Sequence, residues 1–270
     1  MQRVKQVGLR IPSRMREHNL PLVSAGVAFY AFLAFVPTLI IVVAAYGVVA
    51  DVNDVANQVH DFAGALPDEV ETFIRSEVTR IAKADTAGVS ITVIVALLIA
   101  LWSASGGMAA LVTGISVARD QVKELTYVTK RVKGLVLTVG AIVVLGALVF
   151  LIAALPSVLH DIGPGTRGQV FLNMVRWPAL AAVMILGLGV LYRVAVEQPP
   201  RVRFGIVTPG TVVATLVWLL ASGGFTVYTS NFARYSRTYG SLGSIVVVLL
   251  WLYLSAFAVL IGAETDGVVE

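Results

Sequence analysis

The groups that could do chemistry in this 270-residue chain are small polar residues set inside long apolar stretches. The tetrapeptide Ala-Ser-Gly-Gly occurs twice, at residues 104–107 and 221–224, each time shortly after a tryptophan. Small residues that interrupt membrane helices at matching positions indicate a substrate site near the midplane. They also let helices pack closely without any transport role. The residues that we predict here to contact substrate are Trp102, Ser103, Ser105, Gly106, Gly107, Ser222, Gly223 and Gly224.

A second polar group follows the later repeat. Arginines alternate with tyrosines between residues 228 and 239, just before a glycine. Arginine pairs can clamp a phosphate or a carboxylate, whereas tyrosines at this depth are also typical of the membrane interface. Both interpretations stay open. The candidates for substrate contact in this stretch are Asn231, Arg234, Tyr235 and Tyr239.

Three further candidates come from the ends of the chain. Tyr30 and Pro37 lie in the first apolar stretch, and a proline there removes a backbone hydrogen bond and favours a kink. Glu264 lies at the end of the last apolar stretch. A carboxylate within a membrane span is a functional candidate, although one at the boundary can simply reach water.

The sequence gives little support for hydrolytic or redox chemistry. The chain has no cysteine, and His18, His60 and His160 fall in three separate regions without HxH or HExxH spacing. It also lacks a GxxxxGK[ST] phosphate loop and a Gly-x-Ser-x-Gly nucleophile elbow. The sequence therefore predicts a protein that is not an enzyme and has no metal and no cofactor.

The elements that must position these residues are membrane helices. Six apolar stretches have the roughly 20 residues that a bilayer requires, and 57% of the chain is hydrophobic while 13% is charged. The stretches are continuous rather than alternating, which favours helices over a barrel. We predict an all-α bundle of six transmembrane helices, at residues 20–50, 87–118, 134–159, 173–196, 208–230 and 240–263.

The basic residues predict the orientation of the bundle. Thirteen of the twenty lysines and arginines fall at the N-terminus and in the loops on its side, and seven fall on the other side. The positive-inside rule then puts both termini in the cytoplasm. In that setting the net charge of +4 indicates contact with anionic headgroups rather than with nucleic acid. Residues 1–19 form either a basic interfacial helix or a solvated tail, and residues 20–270 form the membrane domain.

The first outer loop, residues 51–86, carries two apolar stripes at helical spacing. We predict two amphipathic helices over the outer face of the bundle. They could serve as a cap that only packs, or as a lid or docking surface for an envelope protein. The two tetrapeptides further predict a 3+3 inverted repeat, because they occupy matching places in two three-span halves.

Four stretches of the chain resemble the YihY/BrkB family of bacterial inner-membrane proteins, some members of which have carried a ribonuclease label. They are Ser-Ala-Gly-Val-Ala-Phe-Tyr at 24–30, Leu-Trp-Ser-Ala-Ser at 101–105, Pro-Gly at 209–210, and residues 231–264 with Tyr-Gly-Ser-Leu-Gly and Leu-Trp-Leu-Tyr-Leu-Ser. The resemblance implies six helices with both ends inside, and links in general terms to virulence and envelope lipid handling. It implies no agreed activity.

Together these features predict an integral membrane protein that transports or translocates a lipid or another amphipathic envelope substrate. A scaffold that recruits envelope machinery through its outer helices is the alternative. A transporter should have a polar, lipid-accessible cleft between spans 1, 2 and 5, whereas a scaffold should be packed solid there.

Overall fold

A computed structural model of the chain describes residues 2–47, 68–82, 91–120, 126–160, 166–196, 205–239 and 241–269. All regular structure within these ranges is α-helical. The helices are α1 (Gln2–Glu17), α2 (Leu20–Gly47), α3 (Asp68–Ala82), α4 (Ile91–Ala118), α5 (Tyr127–His160), α6 (Thr166–Ala195), α7 (Pro209–Tyr239) and α8 (Ser241–Val269).

Local chemistry sets several of the helix boundaries. Thr208 caps α7, because its Oγ1 accepts a hydrogen bond from the Thr211 amide at 3.1 Å while Thr211 Oγ1 accepts one from the Thr208 amide at 3.0 Å. Pro209 then occupies the first helical position, where its missing N–H is harmless. Asn19 and Asp120 have φ angles of 48° and 47°, which is the left-handed conformation that separates α1 from α2 and ends α4.

Four helices are long and apolar enough to cross a bilayer, over Leu20–Ile41, Val95–Ala118, Pro209–Tyr228 and Ile245–Val269. They correspond to predicted spans 1, 2, 5 and 6. The predicted third and fourth spans fall in α5 and α6, which are 34 and 30 residues long. The all-helical membrane class is confirmed; a count of six spans and the inverted repeat stay predictions.

The two Ala-Ser-Gly-Gly segments lie inside uninterrupted α-helices. α4 runs from Ile91 to Ala118 and α7 from Pro209 to Tyr239 without a break, so the expectation of broken helix middles was wrong. A glycine inside a helix costs about 1 kcal/mol of stability relative to alanine. The long apolar segments on either side keep the helix intact despite this cost. α2 likewise continues through Pro37.

The core lies at one end of the bundle. Leu20 at the start of α2, Ala118 at the end of α4, Ala195 at the end of α6 and Ala263 near the end of α8 are fully buried in one cluster. Leu137 from the first half of α5 and Ala214 near the start of α7 belong to the same cluster, so successive long helices enter and leave this end alternately, as in an up-and-down bundle. We call this the basic end, because Arg14, Arg119, Lys130 and Arg131 lie there.

The sides of the helices expose large apolar residues instead. Leu98, Val143 and Leu220 are among many that are more than half exposed. Apolar side chains that would be unfavourable in water are expected where a bilayer surrounds the protein. The bundle therefore has a closely packed basic end and sides whose exposed apolar surface suits contact with lipid.

One of the two predicted outer helices is described. α3 packs against α2 and α8, with Val70 fully buried and the Phe73 ring 5.7 Å from the Phe35 ring. Residues 51–67, which include the predicted first helix of the pair, lie outside the described part. The contacts of α3 are those of a helix that packs onto the bundle.

Candidate functional site

A cleft opens between α2, α4 and α5, near the basic end. Its volume is about 480 Å³, which is within the range of sites that hold small ligands. It is lined by Val23, Gly26, Val27, Tyr30, Gly106, Ala109, Ala110, Thr113, Gly114, Tyr127, Lys130 and Arg131. The lining combines apolar walls with a few polar groups, two of them cationic.

The sequence predicted a cleft between spans 1, 2 and 5. The cleft in the structure lies between spans 1, 2 and 3 instead. The α7 helix packs mainly on α8, whereas α4 packs on both α2 and α5. Sequence spacing does not show which helices become neighbours. The helix predicted to line the cleft together with spans 1 and 2 was therefore the wrong one.

Arg131 of α5 lines the cleft and contacts Trp102 of α4, which adjoins it. The guanidinium carbon lies 4.2 Å from the centre of the Trp102 ring, a cation–π distance. Arg131 Nη2 also donates a hydrogen bond to the Trp102 carbonyl oxygen. The Nε atom of Arg131 is buried and has no hydrogen-bond partner among the described residues.

Ser105 and Gly106 complete this arrangement. Ser105 Oγ donates to the same Trp102 carbonyl at 2.7 Å, and Ser105 itself is fully buried. A methyl group at Gly106 would come within 3.2 Å of Arg131 Nη1, so the glycine makes room for the guanidinium. The first tetrapeptide thus seats Arg131, whereas the side chain of Ser103 is exposed.

Gly107 has a different role. A Cβ atom there would lie 2.9 Å from Ala34 Cβ and 3.2 Å from the Tyr30 carbonyl oxygen. The two backbones are therefore in close contact, as small residues allow in membrane helices. For this residue the close-packing interpretation of the tetrapeptide holds. Tyr30 itself lines the cleft with about half of its surface exposed.

The second tetrapeptide lies apart from the cleft. Ser222 is buried in α7, but Gly223 and Gly224 are exposed, and a Cβ atom at either would meet nothing within 4 Å. They face outward. Asn231, Arg234, Tyr235 and Tyr239 belong to the last turns of α7, and their side chains lie outside the described part, as does the first predicted outer helix.

Glu264 belongs to a second polar feature, a terminal ion cluster that consists of Arg14, His18, Asp120 and Glu264. Arg14 Nη2 lies 3.2 Å from Glu264 Oε2 and 2.7 Å from Asp120 Oδ2. His18 places Nδ1 at 2.7 Å from Glu264 Oε1 and Nε2 at 2.7 Å from Asp120 Oδ1. Glu264 is fully buried, so it ties α1 to α8 and does not line the cleft.

His18 uses both of its ring nitrogens in this cluster. A neutral imidazole carries a single N–H and can donate from only one of its nitrogens. Both nitrogens of His18 face carboxylate oxygens at 2.7 Å, so which of the two contacts receives the N–H depends on the tautomer.

A neighbouring pair secures the start of α7. Asp266 is 1% exposed, and its Oδ1 accepts a hydrogen bond from the Gly210 amide at 2.7 Å while Oδ2 accepts one from Thr208 Oγ1 at 2.7 Å. Arg119 Nη1 lies 3.5 Å from Oδ2. A carboxylate at a helix N-terminus is favoured by the helix dipole, so this contact is structural.

Sequence reasoning missed the roles of Arg14, His18 and Arg131. All three had entered only as basic residues that set orientation or as scattered histidines. No local pattern separates them from other basic residues near a membrane surface. Among the described residues, no group of three or more histidine, cysteine or acidic side chains could hold a metal ion.

Comparison with known proteins assigns the family. Residues 11–270 match the family model described as virulence factor BrkB. The ribonuclease-like protein YfkH of Bacillus subtilis is 33% identical over 182 residues, which are 64% of this chain and 64% of that protein. A UPF0761 membrane protein of Xanthomonas oryzae pv. oryzae is 28% identical over 258 residues, which are 93% of this chain and 57% of that protein.

The comparisons also show how much of its relatives this chain covers. The chain spans about 57–64% of the length of the curated relatives that it matches. No solved structure matches it. The match over nearly the whole sequence confirms the resemblance seen in the four stretches. The chain is a membrane protein of the BrkB virulence factor family.

Proposed function

We propose that this protein binds a lipid or another amphipathic envelope substrate in the cleft between α2, α4 and α5 and moves it across the bacterial inner membrane. The observation that carries the proposal is the cleft itself. It has apolar walls for a hydrocarbon chain and two cations, Lys130 and Arg131, at its polar end. A solidly packed scaffold would have no reason for such a space.

The route into the cleft supports a membrane-borne substrate. Tyr30 and Trp102 are 53% and 54% exposed on the sides of their helices, and Tyr127 is 74% exposed at the start of α5. Tyr127 suits the boundary between headgroups and acyl chains, which aromatic residues with a polar edge favour, whereas Tyr30 and Trp102 lie inside the spans Leu20–Ile41 and Val95–Ala118, at the level of the acyl chains. A substrate could thus enter sideways from the leaflet at the basic end, which we propose faces the cytoplasm and its anionic headgroups.

The proposal assigns no catalytic step. A ribonuclease-like name belongs to the Bacillus relative, but the three histidines of this chain fall in three regions and offer no spacing for a nuclease metal site. Any energy for movement would come from a gradient or from a partner. An envelope protein that docks on residues 51–86 is one such partner, although the buried Val70 and Phe73 contacts of α3 favour a cap.

The test uses two glycines with matched surroundings. A Cβ atom meets nothing within 4 Å at either Gly26 or Gly223, but Gly26 lines the cleft and Gly223 faces outward. Gly26→Phe should fill the cleft, whereas Gly223→Phe should only add surface toward lipid.

The full chain is reconstituted in liposomes that carry fluorescent phospholipid in one leaflet, and the rate of exchange between leaflets is measured. We expect the protein to raise this rate, Gly26→Phe to return it to the protein-free value, and Gly223→Phe to leave it unchanged. A wild-type rate equal to that of empty liposomes would refute transport. Equal rates for the two variants would refute the assignment to this cleft.

A further inference from the structure

Among the described residues, the charged side chains that line the cleft are both cationic. Lys130 and Arg131 are adjacent in the first turns of α5, and the twelve described residues that line the cleft include no aspartate or glutamate. The positive-inside rule explains why basic residues occur at this end. It requires only that such residues be solvated, so it does not explain why the Arg131 guanidinium lies over the Trp102 ring.

The hydrogen-bond state of Arg131 gives a second, independent observation. Its Nη2 donates to the Trp102 carbonyl, but that oxygen already accepts from Ser105 Oγ at 2.7 Å. Its Nε is buried with no partner among the described residues. A buried donor without an acceptor costs free energy, so the contacts with Trp102 satisfy the guanidinium only in part. Nη1, beside the Gly106 that lines the cleft, is the atom that an acceptor from the cleft can reach.

Neighbouring residues hold the guanidinium in place for such an acceptor. The Trp102 ring lies against it, and the missing side chain at Gly106 leaves the space that Nη1 occupies, at 3.2 Å from where a Cβ would lie. A guanidinium held in this way loses little conformational entropy on binding. Lys130 supplies a second positive charge at the same side of the cleft.

We propose that the substrate of the cleft carries a phosphate group, with Arg131 donating to one phosphate oxygen through Nη1, which lies beside Gly106 of the cleft lining, and Lys130 pairing with another. This inference rests on the proposed function, since it names the class of amphiphile that the cleft takes. A tetrahedral phosphate has several acceptor oxygens for two cationic residues, whereas a neutral lipid offers neither cation a charged partner. The acyl chains lie toward Tyr30 and extend into the bilayer.

Binding is tested by native mass spectrometry of the full chain in detergent. The probes are dioleoyl phosphatidic acid and dioleoylglycerol, which differ only in the phosphate. We expect the phosphate lipid to bind about tenfold more tightly, as a charge-assisted hydrogen bond implies. Arg131→Gln should remove this preference, and Arg131→Lys should restore part of it, because it keeps the charge and loses the fork of donors.

Lys133→Gln is the matched control, because it removes the same charge two residues away, outside the cleft lining. It should bind both probes as the wild type does. An Arg131→Gln variant that keeps the full preference overturns the proposal, as does one that loses both probes equally while it retains its helical circular dichroism. In the second case Arg131 only builds the cleft.

Two further arms separate the sources of the anion and the two proposals. Inorganic phosphate or oleate that displaces the phosphate lipid as effectively as unlabelled phosphatidic acid would show a site for a free anion or a carboxylate, and would overturn the choice of a phosphate lipid. If both lipids bind equally and Gly26→Phe blocks both, the phosphate specificity fails while the lipid cleft stands. If neither lipid binds, the proposed function fails as well.

Discussion

His18 Nδ1 lies 2.7 Å from Oε1 of Glu264, although 246 residues separate them in the chain. Arg14 reaches the other oxygen of the same carboxylate at 3.2 Å. The terminal ion cluster therefore fastens α1 and the turn that follows it to the last helix of the bundle. A basic N-terminal segment of this kind is often an interfacial helix whose charges contact headgroups. Here Arg14 instead pairs with the buried Glu264.

The cluster predicts a difference between two charge-removing substitutions. Glu264→Gln replaces one acceptor oxygen by an NH₂ group that must face either Arg14 or His18, in a position with no access to water. We expect a loss of stability of about 3 kcal/mol, as for other buried pairs that lose one partner. Thermal unfolding of the purified chain in detergent measures it.

Asp120→Asn is the matched control. Asp120 contacts the same two residues but its side chain is 58% exposed, and asparagine also tolerates its positive φ. Its effect should stay below about 1 kcal/mol. Equal losses of stability for the two variants would show that the buried contacts of Glu264 stabilise the fold no more than the exposed contacts of Asp120.

A second prediction concerns the contact between α7 and α8. A Cβ atom at Gly210 would collide with the Gly262 carbonyl oxygen and the Asp266 carboxylate, so Gly210→Ala should force the two helices apart and cost about 2 kcal/mol or more. Gly140→Ala in α5, where a Cβ meets nothing within 4 Å, should be neutral or gain about 1 kcal/mol from helix propensity. Unfolding curves that coincide for the two variants would contradict the close approach.

A third prediction separates the roles within the first tetrapeptide. Ser105→Ala removes one hydrogen bond to the Trp102 carbonyl and should cost about 1 kcal/mol. Gly107→Val must displace Ala34 and the Tyr30 backbone, and should cost at least about 2 kcal/mol. The measurement is again thermal stability, and the order of the two losses is the test.

A fourth prediction addresses orientation. The chain has no cysteine, so single cysteines can be labelled without background. Glu17 and Arg75 are both exposed, the first beside the basic end and the second on the outer helix α3. In spheroplasts a membrane-impermeant maleimide should label Arg75→Cys at once and Glu17→Cys only after the membrane is permeabilised. Labelling of both in intact spheroplasts would refute a cytoplasmic basic end.

The agreement between sequence and structure varies with how local the determinant is. The helical boundaries at Thr208 and Pro209 follow from capping chemistry that a few neighbouring residues provide. A cleft between spans 1, 2 and 5 was the expected mark of a transporter; the structure has one between spans 1, 2 and 3, lined by Tyr30 and Gly106 and adjoined by Trp102. By contrast, Gly223 and Gly224 carry the same tetrapeptide and face outward, because composition says nothing about the direction that a helix face takes.

The sequence by itself determined that this chain is a bundle of membrane helices, since the length and continuity of an apolar stretch are local properties that a bilayer reads directly. Only the tertiary structure decided which polar groups meet. Arg131 finds Trp102 across 29 residues and Arg14 finds Glu264 across 250. Such contacts depend on the rotation and stagger of packed helices, which small residues such as Gly107 set through close approach.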